Sequence, residues 1–261
     1  MHKMTRMLFY SFLFFSLVLP FWACTPEEAI PIEEDQSEVH FLSQDYVIAH
    51  RGFWSKKGAP QNSRIAFERA LGLKIYGVEF DVRQTIDGRL VICHDADFGG
   101  KTIDNSTYSE LCASKLDNGE TIPLLEDFLS IRRATETSVK LIIDIKKCSI
   151  IDLVQRIDEY DLQDEVVYIT FTKRYCQQLA ELDYGANAYY SNNNTTPEEI
   201  KELGFGGVCY SQSFLIDNLD YIDAANSLDL RIMVWTVNNS KSIHDFSSKK
   251  VYVITDYPEE F

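Results

Sequence analysis

The chain has 261 residues, enough to bury one sizeable core, and its 45% apolar, 25% charged and 13% aromatic residues are those of a globular protein. Forty acidic against 25 basic side chains give a formal net charge of −15, a surface that repels polyanions and argues against nucleic-acid binding. A phosphorylated ligand of such a chain needs a few local cations or a metal ion to hold it.

Residues 1–23 carry Lys3 and Arg6 but no acid, and the apolar run from Met7 is interrupted by Pro20 and ends at Ala23. A basic start, an apolar middle and a small final residue predict a secretory signal. Cys24, directly after Ala23, resembles the lipid-modified cysteine of bacterial lipoproteins, although Phe21 and Trp22 are bulkier than the usual residues there. An uncleaved membrane anchor is the alternative. Either reading exports the rest of the chain and leaves it membrane-anchored, on the periplasmic side or at the cell surface. Residues 24–44, with Glu27, Glu28, Glu33, Glu34, Asp35 and Glu38 among prolines 26 and 31, predict a flexible acidic tether. The folded domain is expected over 45–261.

From residue 46 onward, short apolar runs alternate with amphipathic stretches. Strands are predicted over 46–50, 77–82, 90–94, 140–145, 166–170, 188–190, 207–210, 231–236 and 251–255. Helices are predicted over 63–72, 124–134, 150–160, 173–182, 197–203, 216–227 and 240–247. Ser63 and Asn239 suit helix N-caps, while Gly72 and Gly204 suit helix ends. Such alternation predicts an α/β fold with a parallel sheet covered by helices. The strands exceed by one the eight of a TIM (β/α)8 barrel. Asp87-Gly88, a hairpin turn signal, accounts for the extra one, so the expected architecture is that barrel with a short hairpin insert after its second strand.

The cysteines at 24, 93, 112, 148, 176 and 209 follow no zinc-ligand or C-x-x-C spacing. Cys93 and Cys209 lie in apolar runs and read as buried thiols. With Cys24 modified, the remaining five argue against a disulfide framework.

Ionisable residues gather at predicted strand ends. Glu79 and Asp81, two apart on one strand, share a face, while Val78, Phe80 and Val82 take the other. Side by side, these carboxylates repel, so a bound cation or a proton is expected between them. Asp144 and Lys146 repeat the spacing on a later strand, and Ile48 and His50 do so on the first. The hairpin brings His94 opposite Glu79–Asp81. Of the five histidines only His50 and His94 end apolar strands, and two imidazoles can supply one general base and one general acid. Singly each feature is ordinary, since a Glu-x-Asp often marks a solvated edge and Asp144 with Lys146 can be a structural ion pair. Their joint occurrence at strand ends, where barrel active sites sit, points to chemistry.

The motifs Ala49-His50-Arg51-Gly52, Asn62-Ser63, Glu79-Phe80-Asp81-Val82 with Thr85-x-Asp87-Gly88, and His94-Asp95 come first in the chain. Ile122-Pro123-Leu124-Leu125-Glu126, Asp144-Ile145-Lys146, Val234-Trp235-Thr236-Val237-Asn238 and Thr255-Asp256-Tyr257-Pro258 follow. Together, in this order over residues 47–258, they resemble the glycerophosphodiester phosphodiesterase family. The resemblance implies a TIM barrel, one divalent cation (Mg2+ or Ca2+), and hydrolysis of a small glycerophosphodiester to glycerol 3-phosphate and an alcohol. By the same resemblance His50 and His94 are the acid/base pair, Arg51 is a phosphate clamp, and Glu79 and Asp81 are metal ligands. Asp144 falls where the family usually has a glutamate ligand, Lys146 lies near the phosphate, and Trp235 lines the pocket. Two departures stand out. Gln61, on the substrate side, replaces a typical glutamate, and Asp144 is one methylene short, so cation binding should be weaker. The alternatives are a phosphodiesterase acting on phosphoinositides or other phospholipids, and a tethered binding protein disarmed by these changes. No nucleic acid or protein partner is implied; the membrane is reached through Cys24.

Overall fold

The apolar runs form strands and the amphipathic stretches between them form helices, because period-2 and period-3.6 patterns each bury one side of a different element. The computed structural model describes residues 44–55, 58–239, 246 and 249–260. The expected signal, Cys24, nearly all of the tether and most of the helix expected over 240–247 lie outside the described residues. In chain order the elements are β1 (Val47–Ala49), α1 (Arg64–Leu71), β2 (Gly77–Gln84), β3 (Leu90–Ile92), β4 (Asp97–Phe98), β5 (Lys101–Thr102), α2 (Tyr108–Leu111) and α3 (Leu125–Ala134). They continue with β6 (Lys140–Lys147), α4 (Ile150–Asp158), β7 (Val166–Thr170), α5 (Lys173–Glu181), β8 (Ala188–Ser191), α6 (Pro197–Glu202) and β9 (Gly207–Ser211). The last are α7 (Gln212–Asp217), α8 (Asp220–Ser227), β10 (Arg231–Trp235) and β11 (Tyr252–Thr255).

Strands β1, β2, β6, β7, β8, β9, β10 and β11 pair in parallel, and β1 pairs with both β11 and β2, which closes the sheet into an eight-stranded barrel. The expected spare strand is β3. It adds antiparallel to the end of β2, with Val82 opposite Ile92 and Gln84 opposite Leu90. Its turn is held by Thr85 Oγ1, which donates to Asp87 Oδ1 (2.6 Å) and accepts the Arg89 N–H (2.9 Å). Gly88 adopts φ +80° there, a conformation other residues enter at a cost.

Side chains alternate across the barrel wall. Ile48, Ile142, Val167, Ile169, Tyr189, Cys209, Met233 and Ile254 form the buried interior. Val78, Phe80, Val82, Leu141 and Ile143 join the larger cluster that includes the helix residues Phe67 and Phe128. Phe67 stacks on Phe128 with ring centroids 4.1 Å apart and meets Phe80 edge-on at 5.7 Å. Ser63 caps α1 as expected, its Oγ accepting the Ala66 N–H. Gly72 ends that helix in right-handed geometry, whereas Gly204 follows α6 at φ +74°.

Three details depart from the expected elements. The single helix expected over 216–227 is two. Ser211 caps α7 through the Phe214 N–H, and Asn218, at φ −136° and ψ 54°, breaks the helix while its Nδ2 donates to Phe214 O (2.8 Å). Asparagine offers the backbone such local bonds in place of a helix. A small insert of β4, β5 and α2 follows the hairpin, packed through Ile103 and Leu111 against Val91 and Ile122. Cys93 lies just past β3 and is partly exposed; Cys209 is buried, and all five described cysteines are free. Among the described residues no helix is long and apolar enough to cross a membrane.

Phe67 fills the joint between barrel wall and helices. Phe67→Ala should lower unfolding free energy by about 3–5 kcal/mol, read from urea denaturation. A change under about 1 kcal/mol would mean that the site collapses around the missing ring.

Candidate active site

The C-terminal ends of the strands carry the ionisable residues. Directly after β1, His50 donates its backbone N–H to Thr255 O of β11 (2.9 Å), and its Nδ1 lies 2.7 Å from Asp256 Oδ1. Arg51 (φ +54°) and Gly52 (φ +85°) then turn the chain sharply. In that turn the Arg51 N–H donates to Glu79 Oε2 (2.7 Å) and the Gly52 N–H to Glu79 O (3.2 Å). A Cβ on Gly52 would stand 2.8 Å from the Ala66 carbonyl carbon, so His-Arg-Gly depends on its glycine.

Glu79 and Asp81 face the interior from β2, and Asp81 stands in register with Asp144 on β6. They are 3%, 1% and 8% exposed, and each offers an oxygen within 4.8 Å of the others. Compensation is partial. Lys146 Nζ lies 2.6 Å from Asp144 Oδ2 and 3.1 Å from Asp81 Oδ1. Arg51 Nε is 3.4 Å from Asp81 Oδ2, a charge contact too poorly directed to be a hydrogen bond. Asn62, at φ +59°, donates Nδ2–H to Asp81 Oδ2 (2.7 Å) and accepts the Asp81 N–H (3.3 Å). Asp144 Oδ1 is buried with no hydrogen-bond partner.

These surroundings move the protonation equilibria. Burial raises Glu79 well above the usual carboxylate range, the charges of Asp81 and Asp144 add to it, and the Arg51 N–H and Lys146 oppose it. Asp144 is raised as well, by burial first, with Lys146 opposing. Burial disfavours the Lys146 ammonium, yet Asp144 and Asp81 outweigh it and the lysine is raised. With all three acids ionised, two cations would leave one negative charge uncompensated, and Asp144 Oδ1 is an unused acceptor. A hard, oxygen-ligated divalent cation fits both.

The β2–β3 register brings the Cys93 N–H to Asp81 O (3.0 Å), and it sets His94 beside the carboxylate pair as expected. Arg83 holds the His94 carbonyl through Nε and Nη2 (3.0 and 2.8 Å), and His94 Nδ1 meets Asp95 Oδ1 at 2.8 Å. One cavity of about 300 Å3 gathers His50, Arg51, Glu79, His94, Asp144 and Lys146. The rest of its lining is mostly apolar, with Ile169, Phe171, Trp235 and Ile254. Trp235 Nε1 donates to Ser191 Oγ (3.2 Å), its ring meets Phe171 edge-on at 5.6 Å, and Lys146 Nζ stands 5.5 Å from the Phe171 centroid. A larger, open hollow of about 830 Å3 at the opposite barrel end, around Arg231, Lys250 and Tyr252, holds neither histidine nor the acid cluster.

Of the residues singled out in the sequence, Gln61 alone among those described does not line this cavity or join the acid cluster. Its Oε1 accepts from Arg51 Nη1 (2.5 Å), so it acts on the cavity through the arginine. Sequence reasoning assigned no role to Asn62, Phe171, Asn238 or Asp256. Three of these stand inside motifs that carried the family resemblance, which was the available signal; Phe171, a lone aromatic after β7, gave none.

The chain belongs to the glycerophosphoryl diester phosphodiesterase family, which matches residues 50–260. It is similar to a solved glycerophosphodiester phosphodiesterase from Parabacteroides distasonis, at 35% identity and TM-score 0.79 over 82% of this chain and 94% of that one. A phosphodiesterase from Oleispira antarctica, solved in complex with the product sn-glycerol-3-phosphate, shares the fold at 23% identity and TM-score 0.71, over 82% and 94% of the two chains. A glycerophosphodiester phosphodiesterase from Bacillus altitudinis is 32% identical over 142 residues, 48% of this chain and 57% of that protein. The chain spans about half the length of the first curated relatives it matches.

Asn62 supplies two of the contacts that keep Asp81 in place. Asn62→Ala should cost about 2–4 kcal/mol in urea denaturation, from lost hydrogen bonds and a left-handed backbone that alanine resists. A loss below about 0.5 kcal/mol would show Asp81 to be independent of it.

Proposed function

We propose that this protein hydrolyses glycerophosphodiesters to glycerol 3-phosphate and an alcohol with the help of one divalent cation, Mg2+ or Ca2+. The observation that carries the reading is the convergence of two imidazoles, two cations and a buried acid cluster on one cavity. The family membership and the product bound to the Oleispira antarctica relative support the substrate class.

Arg51 and Lys146 bind the phosphodiester oxygens, which solves the problem posed by an acidic protein taking an anionic substrate. Glu79, Asp81 and Asp144 would hold the cation, which when bound supplies Lewis-acid polarisation of a phosphoryl oxygen. One of His50 and His94 takes the proton from the nucleophile, and the other protonates the leaving alkoxide. The preferred nucleophile is the substrate's own neighbouring glycerol hydroxyl, since intramolecular attack gains a large effective molarity. That attack yields a cyclic phosphate, which water then opens with the histidines exchanging roles. Phe171 and Trp235 offer apolar faces to the glycerol carbons. Gln61 still orients Arg51, and Asp144 keeps a free oxygen, so neither departure removes a needed contact.

Full-length protein stripped with chelator should release glycerol 3-phosphate from glycerophosphocholine or glycerophosphoethanolamine only after Mg2+ or Ca2+ is restored. His50→Ala and His94→Ala should each cut kcat by about 10²–10⁴-fold without lowering thermal stability. Turnover near wild type in either variant refutes the acid/base pair. Cleavage of intact phospholipids in preference to deacylated diesters would instead identify a lipid phosphodiesterase.

The proposed domain layout is a lipoprotein signal over 1–23, a tether over 24–44 anchored through Cys24, and the barrel domain over 45–261 held outside the cytoplasm. It rests on the charge and hydropathy pattern of the amino-terminal residues. Cys24→Ser should move the protein from the detergent phase to the aqueous phase in a phase-separation assay. Unchanged partitioning would favour an uncleaved apolar anchor.

A further inference from the structure

His50 and Asp256 follow neighbouring strands, β1 and β11, although 206 residues separate them. The Asp256 carboxylate is held from both sides. Oδ1 lies 2.7 Å from His50 Nδ1, and Oδ2 accepts from Asn238 Nδ2 at 2.5 Å. Asn238 Oδ1 in turn accepts the Asp256 N–H (2.9 Å) and the Thr255 hydroxyl (3.2 Å). The side chain of Asp256 is 18% exposed, whereas that of Asp95, the partner of His94, is 80% exposed. An ionised carboxylate only accepts, so the ring proton sits on Nδ1 and Nε2 is left for the cavity that His50 lines.

We propose that Asp256, clamped by Asn238, is a positioning residue that fixes the ring orientation and Nδ1–H tautomer of His50. The inference rests on the acid/base reading of His50. Burial works against the Asp256 carboxylate, but the hydrogen bonds from His50 and Asn238 outweigh it and hold the group below its ordinary value. It is therefore ionised near neutral pH and stabilises the imidazolium that forms when His50 takes a proton.

Asp256→Asn is diagnostic because of the clamp. The new amide must point its NH2 either at His50 Nδ1, which forces the other tautomer, or at the Asn238 NH2, where two donors face each other. Both orientations spoil the arrangement without altering volume. In the full chain with metal restored, kcat should fall about 10²–10⁴-fold, with KM held within about threefold. The 15N NMR signals of His50 should move from the Nδ1–H pattern to a mixed or Nε2–H pattern, which a merely structural role would not produce. A kcat within about threefold of wild type, or an unchanged tautomer, overturns the proposal. If Asp256→Asn does not fold, Asn238→Ala keeps the carboxylate and should lower kcat about 10-fold, the tautomer becoming mixed. Unchanged kcat and tautomer there also overturn it. Should the wild type release no glycerol 3-phosphate, the activity reading fails by itself, and the tautomer measurement still decides the role of Asp256.

Discussion

Three carboxylates, Glu79, Asp81 and Asp144, are buried within two adjacent parallel strands, and the surrounding structure is arranged to make that tolerable. Each buried ion costs several kcal/mol unless it is paired and hydrogen-bonded. The sharp turn at Arg51 and Gly52 aims the Arg51 N–H at the Glu79 carboxylate and the Gly52 N–H at the Glu79 carbonyl, and the left-handed Asn62 brings an amide to Asp81. Lys146 bridges Asp81 and Asp144 from the same strand that carries Asp144. What stays uncompensated when all three are ionised, one negative charge and one bare oxygen on Asp144, is what a cation site requires.

The rest of the barrel serves as rigid support. The barrel interior around the acids is filled by Ile48, Ile142, Val167 and Met233, apolar side chains that offer the charge no hydrogen bond. Outside the wall, the Phe67–Phe80–Phe128 cluster locks α1 and α3 against β2. The strand bearing Glu79 and Asp81 is thus packed on both faces, and their separation is set by the sheet.

The two histidines are held differently. His94 comes from the hairpin, with an exposed neighbour on Nδ1 and its carbonyl fixed by Arg83. His50 sits at the junction that closes the barrel, where β1, β2 and β11 meet. The cavity that both line sets Arg51 and Lys146 among the apolar faces of Phe171, Trp235 and Ile254, so it offers charge for a phosphate and apolar surface for carbon.

Much of this was legible in the sequence because it depends on short-range geometry. Two-residue spacing on a strand puts Glu79 with Asp81 and Asp144 with Lys146 on common faces, and Asp87-Gly88 places His94 by hairpin register. Strand–helix alternation and the count of strands determined the closed barrel. The insert of β4, β5 and α2 escaped notice because two-residue strands leave no periodicity, and Asn218 interrupts a helix through a side-chain bond that periodicity does not register. Only the tertiary structure decided which distant residues meet. Asp256 reaches His50, and Gln61 reaches Arg51 away from the cavity lining, because ring closure and a left-handed turn set those distances. A sequence by itself determines faces and periods; contacts across a closed sheet depend on the three-dimensional packing that brings its first and last strands together.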